Sequence, residues 1–551
     1  MMIGMFIIKL ILVFSFPVLY SAPASSKRPH IIFFLFDDQG YNEVNWVHKN
    51  ENRYHLPTLD SLAREGVVFA SQYYVGPICT PSRAMLMTGR YSTRLGTQSY
   101  VIYHDTPWAV AKEEEFIPQI LSKHAGYTNF GVGKWHLGMM TEWALPTSRG
   151  FHRWDGYLGG CKTIWTHVSA CCTANSSLHD QDYICSIEDQ SPEPKDGKDN
   201  RCYDWFRNAE PAFDANNTKT SDRIVQSTKE FLREHASKFD DIQEMTPIFL
   251  YVAFQNIHDP YTTEQTFYDI YAERTDLTEN EKVLYAYLSD GDQAMGQIIH
   301  ELQNFGFLEN SVIIVSSDNG APEAEDVKHR NYPLKGFKHE TWEGGTMSPG
   351  LVWTKIESLL PVSRRGSRSH ELYHITDWKP TLLHLAGVDQ SVLNETLKLD
   401  GFDVWDSISL GYPSPRNEVL YNINPLCDRG GADLPKAAIR IDNMKLVCWC
   451  FNVTGIDGAT ETGPFSNPED PPGTWPALYN LKDDPTETIN IALDNQNVVD
   501  YLIDRLIEYA DEMALPMEPE APYQGEDYWC ADCPLQPSVG PYEPISPWIE
   551  C

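Results

Sequence analysis

Three apolar runs constrain this chain more than any other feature. His30 to Phe36, Pro247 to Phe254 and Ser311 to Ser317 are nearly continuous in apolar residues, without the alternation of a strand that has one wet face. Strands of this kind are covered on both sides, as in a mostly parallel sheet between layers of helices. Each run stops at polar residues: Asp37-Asp38-Gln39-Gly40, Gln255-Asn256-Ile257-His258-Asp259-Pro260 and Asp318-Asn319-Gly320. Open α/β sheets bind ligands just beyond the carboxyl ends of their strands.

Helical patterns separate the runs. Pro57 to Gly66 leads through Val67-Val68-Phe69, Phe116 to His124 stops near Gly126 before a short strand Thr128 to Val132, and Ser221 to His235 and Asn280 to Phe305 follow. The Pro-rich Tyr412-Pro413-Ser414-Pro415 reads as a boundary. Beyond it, Val419 to Ile423, Ala437 to Ile441 and Met444 to Trp449 read as an antiparallel sheet, with a helix from Asn497 to Met513. The fold class is therefore α/β: a large mixed, mostly parallel sheet sandwiched by helices, with a smaller C-terminal α+β domain. The predicted divisions are a leader over 1–24, a main domain over 25–413 and a smaller domain with its tail over 414–551.

The leader rests on Lys9, the apolar Leu10 to Leu19 and a small-x-small site at Ala22-Pro23-Ala24. No later stretch is apolar for long enough to span a bilayer, so no membrane anchor is expected. Twelve cysteines then imply disulfides. Sequons at Asn175, Asn216, Asn394 and Asn452 agree with the secretory route, lysosomal or exported. A cysteine-rich segment over 160–219 reads as a stapled surface insertion near the cleft. The formal net charge of -34 argues against nucleic-acid binding, which needs basic grooves.

The most informative block is Cys79-Thr80-Pro81-Ser82-Arg83-Ala84-Met85-Leu86-Met87-Thr88-Gly89-Arg90. Pro81 suits the start of a helix and Gly89 its end. Cys79 then sits at a helix N-terminus, which favours an anion, and Arg83 can add a charge-assisted contact. The plainer alternative is a disulfide cysteine before a surface helix. Asp37 and Asp38 could form only a turn; with Asp318 and Asn319 they make an all-oxygen donor set suited to Ca²⁺ or Mg²⁺, not Zn²⁺. In Gly133-Lys134-Trp135-His136-Leu137-Gly138, an extended backbone would point Lys134 and His136 to one side. Otherwise they are a solvated lysine and a packing histidine. His258 alone reads equally as a hydrogen-bonded loop residue.

Together these blocks resemble the type I sulfatase family, through Cys-x-Pro-Ser-Arg followed by Thr-Gly-Arg, Gly-Lys-Trp-His-Leu-Gly, and Lys338-His339-Glu340-Thr341-Trp342-Glu343-Gly344-Gly345. The motif order is similar to that of the animal arylsulfatase B branch, which includes N-acetylgalactosamine-4-sulfatase. The resemblance implies an alkaline phosphatase/sulfatase-like fold and hydrolysis of sulfate monoesters. It also implies that Cys79 is oxidised to formylglycine (3-oxoalanine) by a formylglycine-generating enzyme. It further implies calcium, more than magnesium, held by Asp37, Asp38, Asp318, Asn319 and residue 79. Lys134, His258 and Lys338 would bind sulfate, Arg83 would add positive charge, His258 would protonate the leaving oxygen and His136 would assist the aldehyde hydrate. Lys335 reads as a surface or rim charge. Thr346-Met347-Ser348-Pro349-Gly350 departs from the pattern, where many relatives carry an arginine. Sulfated glycans are the implied substrates. The alternatives are a noncatalytic extracellular protein that binds sulfated glycans, and a formylglycine-dependent phosphonate or phosphate monoester hydrolase.

Overall fold

The computed structural model describes residues 27–48, 53–99, 101–103, 106, 108–170, 201–324, 326–389, 391–392, 398–425, 435–449 and 476–516. The leader, the sequons at Asn175, Asn394 and Asn452, and most of the cysteines fall outside them. Asn216 lies inside, half-buried after the short turn Phe213–Ala215.

The three apolar runs are adjacent strands at the centre of a ten-stranded sheet. Its order is Ser367–Ser369, Val67–Phe69, Gly350–Thr354, Ser311–Ser317, His30–Phe36, Ile248–Ala253, Thr128–Lys134, Arg153–Tyr157, Phe206–Arg207, Glu210–Pro211. The five from Ser311–Ser317 to Arg153–Tyr157 are parallel, and antiparallel pairings occur only outside them. Successive residues of the first strand point to opposite faces. Ile31, Phe33 and Leu35 join one core with the helices Cys79–Thr88, Ile117–Ala125 and Trp378–Leu385. Ile32, Phe34 and Phe36 join another with Pro57–Glu65, Thr220–Ala236 and Glu279–Asn304. Both faces are dry, so no polar alternation is possible, and burial of each large side chain contributes about 1.5–3 kcal/mol.

Parallel pairing aligns the strand ends. Phe36 lies opposite Ser317, Leu35 opposite Ala253, and Ala253 opposite Gly133. The polar residues after each strand therefore emerge at one edge. Gly133 permits this convergence: at φ 92°, a Cβ there would stand 1.8 Å from the Ala253 carbonyl oxygen.

The segment expected as a surface insertion begins and ends in core. Lys162, His167 and Trp205 are fully buried, and Val168–Ala170 pairs with Arg201–Tyr203. Among the described residues no helix is long and apolar enough to cross a membrane.

Beyond residue 413, Glu418–Ile423, Ala437–Ile441, Met444–Cys448 and Ala477–Asn480 form a four-stranded antiparallel sheet, and the helix Gln496–Asp511 covers it. A buried charge cluster clamps this sheet to the short helix Glu343–Thr346 of the main domain. Lys445 Nζ lies 2.9 Å from Glu343 Oε1 and 2.7 Å from Glu487 Oε1, all with side chains at most 2% exposed. Tyr74 and Tyr421 donate their hydroxyls to the Glu343 carboxylate at 2.6 and 2.7 Å. Removing one member of a buried ionic cluster leaves the others uncompensated, at a cost of about 3–5 kcal/mol. Lys445→Ala should therefore lower stability by about that amount, measured as a fall in the denaturant midpoint; an unchanged midpoint would contradict the clamp.

Candidate active site

The helix Cys79–Thr88 starts two residues before the position that Pro81 suggests, so Cys79 is its first residue. All ten residues are buried, and Gly89 ends the helix in the left-handed conformation at φ 69°. The Cys79 Sγ lies 3.6 Å from Asp37 Oδ1. Burial pushes the thiol up from its ordinary range, as do Asp318 and Asp37, against Lys134 and Lys338.

Around it the structure gathers three carboxylates and three cations. Arg83 donates from Nε and Nη2 to Asp318 Oδ2 at 3.0 and 2.8 Å, and from Nη1 to the Lys134 carbonyl at 3.2 Å. Its guanidinium is thus spent on holding Asp318, and the side chain is fully buried. Lys134 Nζ reaches Asp37 Oδ2 at 2.7 Å. Lys338 Nζ reaches both oxygens of Asp38, at 2.7 and 2.9 Å. Lys335 lies elsewhere, its ammonium 3.5 Å from the centre of the Trp342 ring.

Lys134 is the last residue of its strand, but the chain then leaves the extended form. His136 has φ 60°, so the alternation argument that placed it beside Lys134 fails. Its ring lies next to Gly160, where a Cβ would stand 2.9 Å from Nε2, and its carbonyl accepts from Thr80 Oγ1 at 3.0 Å. His258 is set by Asp259, whose carboxylate lies 2.8 Å from Nδ1, while Nε2 stands 3.7 Å from Asp38 Oδ2. With its side chain 12% exposed, His258 is more open than Lys338 at 8% and the fully buried Lys134. Asp259 was not singled out in the sequence, although it directly follows the histidine.

The ligand atoms of Asp37, Asp38, Cys79 and His258 all lie within 4.8 Å of one another. Asp318 and Asn319 border them: Asp318 Oδ1 accepts from the Asp38 amide at 3.2 Å, and Asn319 Nδ2 donates to Asp38 Oδ1 at 2.7 Å. Asn319 Oδ1 is buried with no hydrogen-bond partner among the described residues. An amide oxygen left open beside three carboxylates fits a hard divalent cation. The donors Asp37, Asp38, Asp318 and Asn319 would hold it, and Cys79 and His258 supply the remaining reach. At 346–350, where the sequence departs from the motif pattern, the chain packs locally: Ser348 Oγ accepts from the Ser317 amide at 3.3 Å.

Burial and Lys338 work against a charged His258, yet Asp38, Asp259 and Asp37 outweigh them and raise it to about 10. A raised basic group contributes stability that is complete below its ordinary pKa near 6.5 and is lost as pH rises through the folded value. In metal-free protein, wild type should therefore lose thermal stability more steeply than His258→Gln between pH 7 and 10. Parallel melting profiles would show the imidazolium absent.

Residues 29–388 match the family model described as Sulfatase. Arylsulfatase J of Mus musculus is 32% identical over 521 residues, 90% of this chain and 77% of that protein. N-acetylgalactosamine-6-sulfatase of Rattus norvegicus is 27% identical over 522 residues, 91% of this chain and 88% of that protein. The crystal structure of Ps i-CgsB shares the fold, with a TM-score of 0.68 at 22% identity, covering 89% of this chain and 94% of its own. These likenesses do not single out the arylsulfatase B branch. With the match running from the first central strand past Lys338, the chain belongs to the sulfatase family and is a sulfuric ester hydrolase.

Proposed function

We propose that this enzyme removes sulfate from glycans, using a formylglycine made from Cys79 and a calcium ion held by Asp37, Asp38, Asp318, Asn319 and residue 79. The observation that carries this reading is the cluster itself, in which three carboxylates and three cations surround Cys79 beside an unpartnered amide oxygen. Calcium supports it better than magnesium, because a crowded all-protein set of oxygens suits the larger ion. The glycan class is supported by relatives named for N-acetylgalactosamine-6-sulfate hydrolysis. The expected leader and sequons support synthesis in the secretory pathway, with the lysosome or the exterior as destination.

A sulfate monoester is an anion, so charge neutralisation comes first. When bound, calcium would supply Lewis-acid neutralisation and the aldehyde hydrate a nucleophilic hydroxyl. Lys134 and Lys338, paired with Asp37 and Asp38, bring two ammonium groups to the cluster that would meet sulfate oxygens. Arg83 keeps Asp318 in place. His258 holds a proton at Nε2 and gives it to the departing alcohol oxygen, on the open side of the cluster. His136 accepts the proton that leaves residue 79 when product is released.

Peptide mass over residue 79, combined with aryl sulfate turnover, tests the nucleophile. Active enzyme should carry the aldehyde and Cys79→Ser should lose multiple turnover, whereas an unmodified thiol in active enzyme would sink the reading. Aryl phosphate assayed beside aryl sulfate should be the poorer substrate. Lys338→Ala should lower kcat by roughly a hundredfold or more, the scale of losing one charge-stabilising group. Lys335→Ala should change it by less than about threefold, since its ammonium sits on Trp342. Equal losses in the two variants would contradict the assignment.

A further inference from the structure

Asp38 adopts the left-handed backbone conformation, uncommon outside glycine though more open to aspartate than to most residues, with φ 61°. Such a residue persists only when its surroundings hold it there. Two buried residues that no motif marks, Glu43 and Arg330, form a bracket behind it. Arg330 Nη2 donates to the Asp38 carbonyl at 3.0 Å. Arg330 Nε donates to Glu43 Oε1 at 2.7 Å, and Nη2 also reaches Glu43 Oε2 at 3.3 Å. The remaining arm, Nη1, donates to the Tyr261 hydroxyl at 3.1 Å. Arg330 and Glu43 are 5% and 1% exposed.

The bracket grips the turn from both ends. Glu43 Oε2 accepts from the Gly40 amide at 2.7 Å, and the Glu43 amide donates back to the Gly40 carbonyl at 3.0 Å. Gln39 is fixed from the neighbouring strand, its amide donating to Ser317 Oγ at 2.9 Å. The Arg330 carbonyl accepts from the Asn42 amide at 3.0 Å, and it lies so near Gly40 that a Cβ there would come within 2.5 Å. One guanidinium thus spans the Asp38 carbonyl, the Glu43 carboxylate and Tyr261. A planar fork with fixed geometry does this, and a lysine ammonium cannot.

We infer that Arg330 and Glu43 are positioning residues that lock the Asp38 turn, presetting its carboxylate for the divalent cation, a role that rests on reading Asp38 as a metal donor. Arg330 bonds to Asp38 through the main-chain carbonyl. Its charge is balanced by Glu43, so its effect passes through the geometry of residues 38–40. Partners behind metal ligands typically change metal affinity by about 10–100-fold when lost.

The test is calcium titration of the full-length enzyme from chelator, followed by thermal shift as well as by aryl sulfate turnover. Wild type should gain melting temperature as calcium rises. Arg330→Lys should need at least about tenfold more calcium for half of its shift, yet reach wild-type kcat at saturation with unchanged KM. Glu43→Gln keeps an acceptor for Gly40 and provides a milder probe should Arg330→Lys not fold. It should move the half-point in the same direction by severalfold. Calcium half-points equal to wild type in both variants would overturn the bracket. A lower kcat that saturating calcium does not restore would overturn it as well, by assigning Arg330 a different role. A wild-type enzyme whose melting ignores calcium would instead overturn the metal reading, and the inference with it.

Discussion

Asp37, Asp38 and Asp318 are buried together, and the rest of the site follows from what that requires. Isolated charges in a dry interior cost several kcal/mol each unless partners of opposite sign meet them with good geometry. Lys134 and Lys338 pair with Asp37 and Asp38, Arg83 holds Asp318 and stands 3.7 Å from Asp37, and the six groups come from five stretches of chain. Each carboxylate already has a cationic partner, so a divalent cation entering among them would free lysines and leave an excess of positive charge. A pocket that becomes net positive on loading suits an anionic ester.

Much of the frame was legible because it depends on burial, which composition reports directly. Runs such as Ile31 to Phe36 have no polar face to hide, and their polar terminators mark where the sheet ends. What could not be read was backbone conformation at the turns. Lys134 and His136 were expected to share a side, yet His136 turns at φ 60°. Arg83 was expected to add a charge-assisted contact beside Cys79, and the anion it meets is Asp318. Local sequence says nothing about a partner 235 residues away. Glu43 and Arg330, separated by 287 residues, leave no local signal at all.

Glu343 shows a different limit. Its place in the Trp342-Glu343-Gly344-Gly345 block suggests a role at the site, but its carboxylate meets Lys445, Tyr74 and Tyr421. A motif residue here ties the C-terminal sheet to the main domain. Gly344 and Gly345 are equally architectural, since a Cβ at either would strike backbone carbonyl oxygens 2.3 Å away. The boundary near Tyr412 divides the sequence more sharply than it divides the packing, because residues on both sides of it share a buried charged cluster.

Cys79 is 2% exposed, at the head of a helix with no solvent-facing residue. Once the central strands have closed over that helix, no second macromolecule can bring a catalytic group to the sulfur without unravelling the sheet. Any enzyme that remakes this side chain must meet it as a linear peptide. Were such an enzyme to act on this chain, the depth of one side chain would set the order: chemistry first, folding afterwards.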